Sequence, residues 1–371
     1  MLRACRICFS TKLRNEVTFE EMPIHLWPSK NGLSLETSQL KSYTCEDCGH
    51  LQLQNLSSNF IKNLYTREYM NMDSSLLNVS RANYLKTTCL FESANILDVG
   101  GGTNATSQYF PTASYSILDP QRPSDPRVKH IDGFISDAQL EIEVYDYIFA
   151  FHILEHLEEP RADLQKLASS LKENGKIVIE VPDSIYYAHK LPHYLYFHQH
   201  INLFTAESID QLFALEGFHK IDSVQNDGRL LFTYTKNLNN YYLSKPIAHS
   251  DDDSIFKVNS KFFAKIELNI LQSFSKYDFH EVVFLGSGGS TTLLMYHLPG
   301  LLKEIDYFLD SDVRKIGLNL PGTNKQILKM SDYCDPRNLY LTLGVGILSN
   351  WIGCENTKIM DLLPILENGS H

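Results

Sequence analysis

Two short spacings carry most of the chemistry in this chain. Cys5–Cys8 and Cys45–Cys48 form two C-x-x-C pairs. Tetrahedral zinc prefers thiolates, and this spacing lets two sulfurs reach one ion from a tight turn. Gly49, directly after Cys48, suits the turn that ends such a knuckle. Four thiolates close the coordination shell, so the expected zinc is structural and not catalytic. Cys89, Cys334 and Cys354 are isolated and are expected as ordinary small apolar residues. The second spacing is Asp98-Val99-Gly100-Gly101-Gly102-Thr103-Asn104, which follows an apolar run. Glycines there let the backbone take φ > 0 and approach a nucleoside closely. A third stretch, FHQHINLFT at 197–205, packs His198, Gln199 and His200 between aromatics, an arrangement that a plain strand does not need.

Read as G-x-G-x-x-A over Gly100, Gly102 and Ala105, the glycine loop serves a dinucleotide. Three acids favour S-adenosylmethionine (AdoMet) instead. Asp98 stands two residues before the first glycine, where dinucleotide loops usually lack an acid. Asp119 ends the next apolar run, placed to take both ribose hydroxyls, which suits NAD equally. Asp132, in HIDGF, follows a short third strand where an adenine amino group is met. Carboxylates also suit a cationic sulfonium ligand. Asp98, Gly100, Gly101, Gly102, Asn104, Asp119 and Asp132 are therefore the expected cofactor residues. Arg229, in NDGRLLF, is placed to meet a substrate phosphate.

These residues need a scaffold. ANILDVGGG (94–102), YSILDP (115–120), YDYIFAFHILEH (145–156) and GKIVIEVPD (175–183) read as buried strands. EEPRADLQKLASSLKENG reads as a helix between the last two, with Pro160 at its start, Leu164, Leu167 and Leu171 on one face, and Gly175 at its end. Strands alternating with helices mean a parallel, doubly wound α/β sheet. Ile255, Val258, Phe262, Ile266, Ile270 and Phe274 line a further helix face. The strand–glycine turn–helix theme then returns in EVVFLGSGGSTTLLMYHL (281–298), and EIDYFLDSD again ends a strand in acids. At 371 residues the chain is too long for one ordinary domain. Three segments are expected: a zinc-binding domain at 1–75, too poor in apolar residues for a core of its own, a methyltransferase domain at 76–245, and a smaller Rossmann-like α/β domain at 246–371. A formal charge of −11 argues against a nucleic acid or an anionic membrane as main partner. No apolar run is long enough to span a bilayer, and MLRACRICFS has no apolar core behind it, so the expected location is the reducing cytoplasm.

The chain resembles the sugar C-methyltransferases that join an N-terminal zinc-binding domain, a class I AdoMet methyltransferase and a C-terminal Rossmann-like domain. The resemblance covers nearly the whole chain. It rests on the C-x2-C…C-x2-CGHLQL pattern at 5–53, LYTREYMNMDSS (64–75), ILDVGGG, FHILEH (151–156), IVIEVPD (177–183), FHQHINLFT, FLGSGGSTTLL and KIGLNLPGT (315–323). It implies methylation of a carbon beside the ketone of a nucleotide-linked deoxysugar, with a base that removes the α-proton. It places a histidine after the fourth strand, matched by His156, and a Y-x-E-H cluster after the fifth, matched by Phe197-His198-Gln199-His200. The tyrosine and glutamate of that cluster are replaced, so the base falls to a histidine. His200 comes first, with His198 and His156 behind it, whereas with a hydroxyl or amine as acceptor Gln199 holds a sugar hydroxyl. Tyr65, Tyr69 and Phe197 are implied substrate neighbours, and Phe151 and His152, which open FHILEH, are implied cofactor neighbours. In the family the C-terminal domain is a scaffold that binds no dinucleotide, so Gly286 and Gly288 are expected to be structural. The same substitutions leave room for an O- or N-methyltransferase. An NAD-dependent sugar oxidoreductase is the remaining rival, although the chain lacks the Tyr-x-x-x-Lys pair of short-chain versions.

Overall fold

The structure is a computed structural model that describes residues 4–30, 35–56, 60, 62–63, 75–89, 92–102, 106–236, 256–344 and 357–368. Tyr65, Tyr69, Asn104, Ile255 and Cys354 lie outside the described residues. The chain divides into two compact units, and each takes three pieces of sequence. Met1–Asn15, Ser42–Ser184 and Gln199–Asp251 make the first, and Glu16–Lys41, Ile185–His198 and Asp252–His371 make the second.

Strands β1 (Leu13–Pro23) and β2 (Thr37–Cys45) run from one unit into the other. In the first unit, β3 (Leu51–Leu53) pairs antiparallel with β2 through Ser42↔Leu53. The larger sheet there contains β4 (Asn95–Val99), β5 (Ser114–Leu118), β6 (Lys129–Ile131), β7 (Tyr145–Phe151) and β8 (Leu171–Pro182). After β9 (Asn202–Leu203), which pairs with β3, the hairpin β10 (Phe218–Asn226) and β11 (Arg229–Lys236) completes it. The order is β10-β11-β8-β7-β4-β5-β6, and β11 runs against its neighbours in an otherwise parallel sheet. Sequence order reverses between β4 and β7, the switch point at whose carboxyl end open α/β sheets bind ligands.

Both faces of this sheet are covered, which is why its strands read as continuous apolar runs. Side chains alternate. Leu97, Val99, Ile148, Ala150, Ile177 and Ile179 pack one way, against Leu164 and Leu167 of helix α2 and Leu212 and Phe213 of helix α3. Ile96, Tyr147, Phe149 and Val178 pack the other way, against Ala82 and Leu85 of helix α1. These helices are α1 (Ser75–Thr88), α2 (Pro160–Ser170) and α3 (Ala206–Leu215). Pro160 opens α2 as expected, but the helix stops at Ser170. Leu171, expected on the helix face, takes an extended backbone and begins β8, opposite Tyr145. Its apolar side chain is buried either way, so periodicity alone does not separate the two.

In the second unit, α4 (Ser260–Phe274) is capped by Asn259, whose side chain accepts from the Lys261 and Phe262 amides. It buries Phe263, Ile266, Ile270 and Phe274. Phe262, expected on that face, is only half-buried, and Val258 is buried ahead of the helix. The five-stranded parallel sheet runs β14-β13-β12-β15-β16. Its strands are β12 (Val282–Leu285), β13 (Tyr307–Asp310), β14 (Ile327–Lys329), β15 (Leu339–Thr342) and β16 (Lys358–Asp361), with α5 (Gly289–His297) after β12. Asp310 stands where a dinucleotide fold keeps a carboxylate for ribose. Here it accepts from the Ser287 amide (2.9 Å) and hydroxyl (2.7 Å) and from Lys315 (2.8 Å). All three reach Oδ2, and Oδ1 accepts from the Asp312 amide at 2.9 Å, so both oxygens are engaged by the protein itself. Cys89 is buried as expected. Cys334 is not the small core residue expected, because it is exposed and disulfide-bonded.

Candidate active site

The glycine loop leaves the carboxyl end of β4 beside β5 and β7. Gly100 and Gly102 both have positive φ, 71° and 56°, where a side chain would be strained. A Cβ on Gly101 would lie 2.8 Å from Asp98 Oδ2, so the loop folds tightly over its own acid. Asp98 is buried and accepts a 2.8 Å bond from the Tyr115 hydroxyl, and burial pushes its carboxyl up to about 6. Asp119, just past β5, accepts from the Gly102 amide at 3.0 Å and from the Gln121 amide at 2.7 Å. The two amides bind one carboxylate oxygen each, which fixes the acid at the rim of the loop. Asp132 is exposed immediately after β6. Phe151 ends β7 and stacks on Phe149, with the Arg81 guanidinium 4.8 Å from its ring centre.

Beyond β7 and β8 lies a chain of alternating charge, buried at Arg81, Glu180 and Glu155 and half-buried at His152. Arg81, on α1, donates to Glu180 Oε1 at 2.6 Å and 3.2 Å. The same oxygen lies 3.0 Å from His152 Nε2, while His152 Nδ1 lies 3.0 Å from Glu155 Oε1. Arg229 Nη1 stands 3.5 Å from the other oxygen of Glu180, so Arg229 borders this chain. Burial works to discharge His152, but the two carboxylates on its ring nitrogens hold its pKa up at about 9. Burial opposes both carboxylate charges too. The His152 bonds, with Arg81 beside Glu180 and His156 near Glu155, outweigh it and hold both acids down at about 2. His152 also takes a left-handed φ of 56°, an unusual backbone for a residue with a side chain. A clamp on both ring nitrogens is what holds it there.

Glu155 passes this chain on to two more histidines. His156 Nδ1 donates to the Gln199 carbonyl at 2.7 Å, and the His156 and His200 rings meet edge to face at 4.9 Å. One ligand-type atom from each of Glu155, His156 and His200 lies within 4.8 Å of the others. Burial pulls the His156 pKa below its ordinary value, and burial together with His156 pulls that of His200 well below it. Both shifts favour the neutral imidazole over the imidazolium. The unit boundary falls inside the FHQH stretch. Gln199 and His200 belong to the first unit, while Phe197 and His198 belong to the second. There His198 Nε2 donates to the Met22 carbonyl at 3.3 Å, and Phe197 stacks on Tyr194 at 4.8 Å.

The backbone beside His200 is held from the cysteine segment. Arg6 donates to the Ile201 carbonyl (2.9 Å) and the Leu53 carbonyl (2.8 Å). Asn202 donates to the Leu154 and Leu157 carbonyls at 3.0 Å and 2.7 Å, and His50 Nε2 lies 3.3 Å from its Oδ1. The four sulfurs of Cys5, Cys8, Cys45 and Cys48 converge within 4.8 Å of one another. The Cys5–Cys48 and Cys8–Cys45 pairs are 3.5 Å apart, and all four thiols are unbridged. Sulfurs on one tetrahedral zinc stand about 3.8 Å apart, given Zn–S of about 2.3 Å. The donor set and spacing fit that ion. Each knuckle turns through a left-handed residue, Phe9 (φ 62°) and Gly49 (φ 73°).

Of the residues that the sequence singles out, the structure brings His156 together with His200, Asp119 with Gly102, and the four cysteines with one another, and it adds Arg81, Glu155 and Glu180. Glu180 carried a signal, as a single charge in the apolar run Ile177–Val181. Its burial requires a paired cation, and Arg81 and His152 supply two.

Residues 74–223 match the family described as a methyltransferase domain. A comparison with the curated proteins finds no match. Among solved structures, the chain is similar to a Burkholderia thailandensis 1,6-didemethyltoxoflavin-N1-methyltransferase with bound 1,6-didemethyltoxoflavin and S-adenosylhomocysteine. The identity is 16%, the TM-score 0.41, and the match covers 52% of this chain and 97% of that one. It is also similar to an S-adenosylmethionine-dependent methyltransferase of Mesorhizobium loti, at 13% identity and TM-score 0.36, over 42% of this chain and 96% of that one. The glycine loop and Asp119 lie within the matched segment, at the switch point of the α/β sheet. The chain carries, over residues 74–223, a segment that matches a methyltransferase domain.

Proposed function

We propose that the enzyme methylates a carbon next to the ketone of a nucleotide-linked keto-deoxysugar, with His200 as the base. The observation that carries this reading is the half-buried His156–His200 pair beside buried Glu155, with both imidazole pKa values pulled below their ordinary value. A C–H bond α to a ketone is a weak acid, so the reaction needs a fixed base with an available lone pair. His200 takes the α-proton and the C–H electron pair passes into the enolate. AdoMet, held by the glycine loop and Asp119, would supply the methyl group that the enolate carbon takes, with the S–CH3 electron pair kept by its sulfur. Glu155, already ionised, is placed to stabilise the imidazolium formed. His156 is kept in register by the Gln199 carbonyl, and Gln199 and Arg229 are left to meet the sugar and its phosphate. His198 is the reserve base, and Tyr65, Tyr69 and Phe197 are proposed substrate neighbours.

Within this reading Asp98, Gly100, Gly101, Gly102, Asn104, Asp119, Asp132, Phe151 and His152 surround AdoMet, and one zinc ion sits among the four cysteines. The proposed organisation is a zinc-binding segment at 1–75, the methyltransferase at 76–245 and a Rossmann-like scaffold at 246–371, working in the cytoplasm. No helix among the described residues is long and apolar enough to cross a membrane.

Hydrogen bonds to a charged carboxylate are worth about 1.5–3 kcal/mol each. Asp119→Ala is therefore expected to weaken AdoMet binding at least about tenfold by calorimetric titration. Unchanged affinity removes Asp119 from the cofactor site. The function itself is tested by solvent deuterium exchange. With S-adenosylhomocysteine in place of AdoMet, a 4-keto sugar substrate is expected to exchange its α-proton. Absence of exchange with every keto sugar tried supports the second reading, O- or N-methylation, which Gln199 in place of the family's glutamate favours.

A further inference from the structure

We propose that Glu155, His156 and His200 also form a second metal site, for one divalent first-row transition ion such as Zn2+ or Co2+. Two imidazoles and one carboxylate are a donor set that such ions take readily, and it differs in kind from the four thiols. Three features of the first unit point to a ligand there. The candidate donor atoms already lie within 4.8 Å of one another. Ligands on one such ion sit about 3.3 Å apart, given bonds of about 2.0–2.2 Å, so small side-chain rotations close the set. Glu155 is 1% exposed, and its Oε2 is buried without a hydrogen-bond partner. An ionised oxygen in that position is costly unless a cation meets it. The supporting shell is also that of a metal centre. His156 Nδ1–H donates to the Gln199 carbonyl, which turns Nε2 toward Glu155, 3.9 Å from its Oε1, and His152 steadies that carboxylate through the same oxygen.

The ion and the substrate proton compete for the same lone pairs. A filled site therefore silences the histidine base, and this consequence rests on the base assignment above. Binding is read separately from activity. Protein whose four thiols carry one equivalent of zinc is titrated with Co2+ and followed by its visible spectrum and by metal analysis after dialysis. The expected result is one further ion per chain, with weak nitrogen/oxygen-type ligand-field bands and no sulfur charge-transfer band. Deuterium exchange of the keto sugar falls in parallel. Glu155→Gln and His200→Ala are each expected to weaken the second ion about 100-fold. A wild-type chain that binds no second ion in excess Co2+ overturns the proposal without any variant. So does a second ion bound equally well by both variants. His200→Ala with undiminished exchange in protein free of the second ion strikes the base assignment alone, so the two failures are distinguishable.

Discussion

His200→Ala is expected to lower kcat by about 10²–10⁴-fold, the usual contribution of a general base. AdoMet affinity should stay within about twofold of wild type, because the cofactor loop on β4 and Asp119 lie on other elements. The split between kcat and cofactor binding separates lost chemistry from lost folding. The pH profile sharpens it. Only the neutral imidazole removes a proton, and burial together with His156 pulls the His200 pKa well below its ordinary value of 6.5. The acid limb of kcat/KM should therefore fall below pH 6.5, with the rate flat from there through neutrality. Glu155 pulls the other way, since a nearby carboxylate favours the imidazolium. Full exchange and turnover in His200→Ala would falsify the base assignment and leave His156 as the next residue to remove. The Gln199 carbonyl constrains His156 Nδ1 alone, so His156→Gln should cost less if His200 is the base.

Local patterns made part of this site legible. The loop from Asp98 to Gly102 announces itself because close backbone approach and positive φ demand glycine at fixed offsets from a buried strand. Asp119 follows from the length of one strand–helix–strand unit. The two C-x-x-C pairs are legible for the same reason, since the turn itself sets the spacing. What stayed hidden depends on pairing at a distance. Arg81 and Glu180 are 99 residues apart in sequence, and nothing near either names the other. Leu171 was misassigned because a buried leucine at a helix end and one at a strand start satisfy the same apolar pattern. Phe262 and Phe263 stand side by side, and the 3.6-residue period admitted either until Asn259 fixed where the helix begins. The discontinuous units could not be read from composition, because β1 and β2 leave one unit and return without any break in their own pattern.

The second large effect concerns zinc. Removing the ion with a chelator, or a ligand by Cys45→Ser, is expected to unfold the cysteine segment and abolish turnover together. The segment has no core apart from the one that Cys5, Ile7, Cys45 and Cys48 share with the large sheet, so a structural zinc there would supply much of its folding energy, on the order of 10 kcal/mol for four ligands. The loss should reach the base because the segment holds the chain on which the base sits. Arg6, between Cys5 and Cys8, donates to the carbonyl of Ile201, the residue after His200. His50, two residues past Cys48, lies 3.3 Å from the Asn202 side chain, which in turn holds the Leu154 and Leu157 carbonyls on either side of Glu155 and His156. Without the knuckles both tethers slacken, and a shift of about 1 Å in a base is enough to cost about 100-fold in rate. Elemental analysis should give one tightly held zinc per chain. Thermal unfolding should show an early transition after chelation, and zinc added back should restore exchange of the keto-sugar proton. AdoMet binding should weaken less than turnover, since the loop on β4 and Asp119 are held by β5 and β7 as well as by the core that Cys5, Cys45 and Cys48 share. A chain with far less than one zinc, or one whose exchange rate ignores chelation, would show that the four thiols neither hold a metal nor position His200.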